Sequence, residues 1–132
     1  MHAHIVVEPT PPQKFFTIVL LILFLVFLCV LVAQASEYSD EQIVNAIYRA
    51  EGGQKAPFAY GIRSIPYRDI KDARQICLNS VRNGRKRWIK AGRPYDLITF
   101  ISKRYCPIGA DNDNGTNKFW IKNVKYFLNK RS

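Results

Sequence analysis

The fold class predicted by the sequence is mainly α: a small helical domain with a short hairpin or loop, after one N-terminal hydrophobic helix. Three observations carry it. No charged residue occurs between Phe15 and Ala35. Beyond that stretch, apolar residues recur at helical spacing in several segments bounded by cap and breaker residues. The chain has 132 residues, 48% of them hydrophobic, which makes room for one domain and is too apolar for a disordered chain. A multidomain enzyme and a polytopic membrane protein are excluded.

The hydrophobic segment sets the compartment. Phe15 to Ala33 reads FFTIVLLILFLVFLCVLVA, and at 1.5 Å per residue it spans about 28 Å, close to the thickness of a bilayer core. Lys14 before it and Ala33-Gln34-Ala35 after it also fit a cleaved signal peptide. Residues 1–14, with Pro9, Pro11 and Pro12, read as a disordered cytoplasmic leader, residues 15–35 as signal peptide or membrane anchor, and residues 36–132 as the domain. Lys14 lies on one flank, whereas Glu37, Asp40 and Glu41 come first on the other. That asymmetry keeps the N-terminus cytosolic and sends the domain across. The expected location is periplasmic or otherwise extracytoplasmic, secreted or anchored to the inner membrane.

The domain is basic. Glu8 and Lys14 are the only charges before Ser36, so the remaining 97 residues hold 19 Lys and Arg against 9 Asp and Glu. Six of these cations, Arg82, Arg85, Lys86, Arg87, Lys90 and Arg93, fall within 12 residues that contain no acid. On a cytosolic protein such a run reads as a nucleic-acid patch. On an exported one the partners it fits are anionic lipid headgroups and the anionic cell-wall surface, and a solvated face is the plainer alternative. Nucleic acid is not the expected partner. No metal or cofactor is expected: His2 and His4 are sparse, and no Cys-x-x-Cys or Cys-x-x-His spacing occurs.

The elements follow in order. A first helix runs from about Asp40 to Glu51. Ser39 is its N-cap, Gln42 completes a capping box, Asp40 and Glu41 sit at the positive end of the dipole, and Gly52-Gly53 ends it. Gln54 to Arg68, with Pro57, Gly61 and Pro66, alternates apolar and polar residues and forms a hairpin or an ordered loop. A second helix, capped by Asp69, runs from about Ile70 to Asn83 with the stripe Ile70, Ala73, Cys77 and Val81. Gly84 ends it, and Arg85 to Lys90 forms a short further helix or a kinked continuation. Trp88 packs under the basic face. The next helix starts at Pro94, carries Leu97, Ile98, Ile101 and Tyr105, and stops at Pro107. Ile108 to Asn117 is a turn-rich loop. The last helix runs from about Lys118 to Asn129, with Trp120, Val124, Phe127 and Leu128 inward. Cys77 and Cys106 form an even pair in an exported domain, which predicts a disulfide closing a loop of about 30 residues, worth about 3 to 4 kcal/mol in the chain-entropy model. Two buried free thiols are the alternative.

Glu51 stands out. Ile43, Val44, Ile47 and Ala50 define the buried arc of the first helix, and Glu51 falls within about 40° of Ile47 on it. A carboxylate on that arc, at the negative end of the dipole, has its charged form disfavoured twice over, so its pKa is expected to rise. That is the environment of a general acid. The alternative is a partly exposed glutamate paired with Arg49 or Lys55. Gly52 and Gly53 permit close approach of another chain or a ligand.

The segment Ala46-Ile47-Tyr48-Arg49-Ala50-Glu51-Gly52-Gly53, followed by Ala59-Tyr60-Gly61-Ile62-Arg63-Ser64-Ile65, resembles the lysozyme-like soluble lytic transglycosylases. In that family a helix ends in the catalytic Glu, and a Gly-Leu-Met-Gln-Ile stretch follows a short loop. Gly61 to Ile65 is similar to that stretch. Ser102 to Cys106 is similar to the family's Ala-Tyr-Asn helix, with Tyr105 as the tyrosine, and Trp120 to Val124 to its closing Tyr-Val helix. The order holds from Ser39 to Leu128. Gly52, Ser64 and Cys106 depart from the family's Ser, Gln and Asn, which help orient sugar and water.

The resemblance implies an α+β lysozyme-like domain that cleaves the β-1,4 glycosidic bonds of peptidoglycan glycan strands. Most glycosidases use two carboxylates. Here Asp69 and Asp72 read as helix caps, and Asp111 and Asp113 lie in a loop. The resemblance implies a route with one carboxylate, in which Glu51 acts as acid and then as base for attack by the sugar's own 6-hydroxyl. The substrate-binding residues are then Tyr60, Gly61, Ile62, Ser64, Tyr105 and Trp120, with the three aromatics able to stack on sugar faces or to serve as core or rim residues. The competing expectation is a non-enzymatic, membrane-anchored basic module that binds glycan or nucleic acid. The position of Glu51 discriminates: an open cleft above it favours the enzyme, and burial in an ion pair favours the module.

Overall fold

The computed structural model describes residues 2–8, 10–35 and 38–130. The chain divides into two units, with the boundary between residues 37 and 38. The first contains one helix, α1, Pro11–Ala35. It starts four residues before Phe15. Pro11 and Pro12 occupy its first turn, where a missing N–H has no intrahelical partner to lose. Its side chains from Phe15 to Leu28 are exposed and apolar, and Pro11–Val30 is long and apolar enough, by length and composition, to cross a membrane. The Ser36 and Glu37 flank lies outside the described residues.

The second unit holds four α-helices: α2 Asp40–Ala50, α3 Ile70–Lys90, α4 Leu97–Tyr105 and α5 Trp120–Asn129. Helix α2 packs on α3 and α5, and α4 on α3 and α5, so the four close a ring around one core. The fold is mainly helical, and no strand occurs among the described residues. At the centre are Ile43, Val44 and Ile47 of α2, Cys77 and Val81 of α3, Ile98 and Ile101 of α4, and Val124 of α5. Ile43, Val44 and Ile47 of the apolar arc predicted for the first helix are buried, Ala46 joins them, and Ala50 is only half-buried.

Helix α2 begins as its sequence specifies. Ser39 Oγ accepts from the Gln42 N–H, and Gln42 Oε1 accepts from the Ser39 N–H. Asp40 and Glu41 do more than complement the dipole. Arg85 Nε lies 2.7 Å from Asp40 Oδ1, and Arg74 pairs with Glu41. These two ion pairs tie the start of α2 to α3, and one of them uses a cation from the basic run.

Of the two forms expected for Gln54 to Arg68 the structure has the ordered loop, with 3-10 turns at Gly53–Lys55 and Ala59–Gly61. Two boundaries differ from the sequence expectation. Helix α3 continues through Gly84 to Lys90 without a break. Gly84 is buried at the crossing with α4, where a Cβ would lie 2.8 Å from Ile101 Cγ1. It is a packing glycine, and the close approach of α4 offsets its cost to helix propensity of about 1 kcal/mol. Helix α4 starts after Asp96, not at Pro94. The Asp96 carboxylate accepts from the Thr99 N–H and from Thr99 Oγ1, so the stronger cap sets the boundary. Trp88 is buried as expected, donating from Nε1 to the Tyr95 carbonyl at 2.6 Å, with the Arg93 guanidinium over its ring. Ile70, at the start of the predicted α3 stripe, is exposed.

The expected disulfide is not formed. Cys77 and Cys106 are free thiols. The Tyr105 hydroxyl, rather than a second sulfur, lies against Cys77, 3.4 Å from its Sγ. Cys106, at the C-cap of α4, comes under the charges of Glu51 and Asp113 instead.

Candidate active site

The site is built around the end of α2. Glu51 is the C-cap, its N–H still bonded to the Ile47 carbonyl at 2.9 Å. Gly52, with φ of 106°, turns the chain away in a conformation that other residues rarely adopt. The Glu51 side chain is therefore held by a full helical turn while the backbone beyond it leaves.

Two elements close on the carboxyl group. From α5, Trp120 donates from Nε1 to Glu51 Oε1 at 2.9 Å. From the loop, Gly61 lies against it so closely that a Cβ at that position would meet the carboxyl carbon at 2.6 Å and both oxygens at 2.8 Å. A side chain there would have to displace the carboxyl group, and a φ of 69° is one that residues other than glycine rarely adopt. Tyr60, next to it, also has a positive φ, of 56°. A non-glycine residue in that region is strained. The strain is held by Tyr105, whose hydroxyl donates to the Tyr60 carbonyl at 2.6 Å, and by Tyr67, whose hydroxyl accepts from the Ala59 N–H at 2.9 Å. Tyr105 in turn packs its ring on Trp120, with centroids 5.5 Å apart.

The electrostatics follow from this packing. Burial raises the Glu51 pKa above its usual 4.5, against the opposing effects of the Trp120 hydrogen bond and the positive charge of Arg63. The direction is the one expected from the sequence. Among the described residues Glu51 has no ion-pair partner. Arg49 lies over the Phe127 ring instead, 5.0 Å from its centroid. Burial also pushes the Cys77 and Cys106 thiols up to about 11 and the Tyr105 hydroxyl well above the ordinary phenol range. All three stay protonated at neutral pH, so neither cysteine is a ready nucleophile.

A polar groove of about 370 Å³ lies on the far side of Gly61 from the Glu51 carboxyl group, which does not itself line it. Gly61, Ile62, Ser64 and Tyr105, four of the expected substrate-binding residues, line it. Gly61 thus touches the groove on one side and Glu51 on the other. Tyr60 and Trp120 are a correction. Each is only 5% exposed, and a ring that stacks on a sugar must present a face. Tyr60 packs on Tyr48 and Trp120 on Tyr105. Trp120 reaches the site through its N–H, not its ring face.

The groove also contains residues that the sequence did not single out for the site: Arg63, Asn83, Arg87, Arg104 and Asn112. They come from the loop, α3, α4 and the loop after α4. Arg87 belongs to the basic run, but nothing in that run distinguishes it from Lys86 or Lys90. No Asp or Glu lines the groove among the described residues. Asp69 caps α3 and Asp72 bonds to Arg68, as their positions predict. Asp113 accepts from the N–H groups of Gly109, Gly115 and Asn117 and is held below the usual carboxylate range by them. It orders its own loop.

Comparison with protein-family models, with curated proteins and with solved structures found no match.

Proposed function

We propose that the chain is a peptidoglycan-cleaving glycosidase, a lytic transglycosylase or lysozyme-like enzyme that breaks β-1,4 bonds with Glu51 as its single acid/base. The observation that carries this is the setting of Glu51. It is a partly buried carboxyl of raised pKa, with no paired cation among the described residues, oriented by Trp120 and separated by Gly61 from a groove that Gly61 lines. A raised pKa keeps a carboxylic acid protonated closer to neutral pH, which protonation of a leaving oxygen requires. Once it has given up the proton, Glu51 is a base for the 6-hydroxyl of the same sugar. The Trp120 N–H then stabilises the anion in place. This route yields an anhydro product and needs no second carboxylate. Helix α1 delivers the domain to the wall, as an export signal or as an anchor through residues 15–33.

The test is digestion of purified peptidoglycan by the full-length chain in detergent, with Glu51→Gln alongside and the products read by mass spectrometry. Anhydro-muropeptides from the wild type are expected, with a loss of at least about a hundredfold in the variant. Hydrated reducing ends would make the enzyme a lysozyme with a second catalytic group. Undiminished cleavage by Glu51→Gln would remove Glu51 from the chemistry. The second reading, a non-enzymatic basic module that binds glycan or nucleic acid, draws on the arginines of the groove. A folded wild-type protein that binds peptidoglycan and releases nothing would select it.

A further inference from the structure

Three guanidinium groups line the groove beyond Gly61: Arg63 from the loop, Arg87 from α3 and Arg104 from α4. Their setting differs from that of the cations that tie α2 to α3. Arg74, Arg82 and Arg85 are committed to Glu41 and Asp40. Among the described residues Arg63, Arg87 and Arg104 have no carboxylate partner, and the groove wall supplies none. Arg63 rests on the Phe58 ring, 5.1 Å from its centroid, and Arg87 Nη2 folds back to within 3.8 Å of where a Gly84 Cβ would stand. Both are thus placed by packing. Between the three lie Ser64, Asn83 and Asn112, whose side chains can donate to and accept from amide groups.

We propose that this groove recognises the stem peptides of the glycan substrate through their carboxylates. The inference rests on the reading of Glu51 as the cleaving residue and adds the substrate class to it. A strand cut at Glu51 passes Gly61 and enters the groove. The anions that such a strand carries are peptide carboxylates, and its remaining polar groups there are peptide amides. Arginine presents a planar fork that matches a carboxylate, and the asparagines match the amides.

The test is a binding measurement in the Glu51→Gln background, so that it does not depend on cleavage. The probe is a soluble tetrasaccharide muropeptide with free stem-peptide carboxylates, titrated into the full-length chain in detergent. The same compound with those carboxylates converted to amides is the control ligand. The expected result is at least tenfold weaker binding of the amidated compound. A comparable loss is expected for the free compound when Arg87→Gln and Arg104→Gln are combined. Lys86→Gln with Lys90→Gln removes the same charge from the same end of the domain, outside the groove, and is expected to change binding less than twofold. Equal affinity for the two ligands overturns the proposal without needing any variant to fold. Equal losses in the arginine and lysine pairs also overturn it, since diffuse charge then accounts for the binding. If Glu51→Gln still cleaves peptidoglycan, the acid/base reading fails while these affinities remain readable. If the affinities show no carboxylate dependence while Glu51→Gln is inactive, the groove proposal fails alone.

Discussion

Glu51 and Asp96 are both carboxylates at helix ends, and the structure treats them in opposite ways. Asp96 caps the N-terminus of α4. Burial alone would raise its pKa, but hydrogen bonds from Thr99 and Lys125 outweigh that, and it is held below the usual 3.8. Glu51 caps the C-terminus of α2, where burial dominates over one indole N–H and the charge of Arg63, and its pKa is raised. One group sits where backbone N–H groups seek an acceptor, the other where carbonyls already supply negative potential. The first carboxylate stabilises a helix; the second, in its charged form, sits at a cost in stability.

The largest effect expected from breaking this contrast, after the loss of cleavage in Glu51→Gln, comes from Gly61→Ala. The new methyl group would overlap the Glu51 carboxyl at 2.6 Å and must push it out of line with the groove. A shift of this size is expected to lower kcat by about a hundredfold. Fluorescence unfolding should still show a cooperative transition, because Val44, Ile47 and Val124 lie outside the contact. Near wild-type kcat in Gly61→Ala would mean that the carboxyl is free to relocate and that Gly61 does not position it.

A smaller effect separates the two carboxylates by pH. Because the folded pKa of Glu51 is raised, its contribution to stability is complete below the unfolded value of 4.5 and is lost as pH rises through the folded one. Glu51→Gln, neutral throughout and still able to accept from Trp120, escapes that loss. Its melting temperature is expected to exceed that of the wild type at pH 7.5 and to converge with it below pH 4.5. Both tryptophans, Trp88 and Trp120, lie in the helical domain, so their fluorescence follows its unfolding. A variant less stable than wild type at pH 7.5 would mean that the charged form of Glu51 is stabilised after all.

What the sequence disclosed divides along the same line. Local signals were legible. Ser39 with Gln42, Gly52 after Glu51, Asp69 before α3 and the apolar arc of α2 each follow from rules that span one or two helical turns. Glu51 was legible for the same reason, as a charge on that arc. Contacts between distant segments were not. Nothing near Gly84 says that Ile101 lies on it, so a glycine that continues a helix looked like one that ends it. Nothing near Gly61 says that a carboxyl group 10 positions earlier fills the place of its side chain. The two cysteines looked like a bridge because their number does not disclose that the Tyr105 hydroxyl, and not a second sulfur, lies against Cys77. Tyr60 and Trp120 were identified with the site but not with their roles, since an aromatic side chain does not announce whether its face or its edge will be used. Arg63, Arg87 and Arg104 are separated by 24 and 17 positions, and only the fold brings them to one groove.

The smallest effect belongs to Asp96. Asparagine caps a helix about as well as aspartate, so Asp96→Asn keeps the hydrogen bond from the Thr99 N–H and removes only the charge. What is lost is the attraction of the helix dipole and of Lys125, whose Nζ lies 3.1 Å from Oδ1. Both partners are substantially exposed, so the expected loss at pH 7 is a few tenths of a kcal/mol, at most about 1. Because the folded pKa is lowered, this contribution is present above 3.8 and disappears as pH falls through the folded value. It should also shrink in high salt, as interactions between exposed charges do. The pH dependence is therefore opposite in sign to that of Glu51→Gln: one variant loses stability at neutral pH and the other gains it. The two curves measured side by side under one set of buffers test the contrast directly. If both variants shift in the same direction between pH 3 and pH 7.5, the two helix ends do not treat a carboxylate differently, and the setting of Glu51 no longer marks it as the group reserved for chemistry.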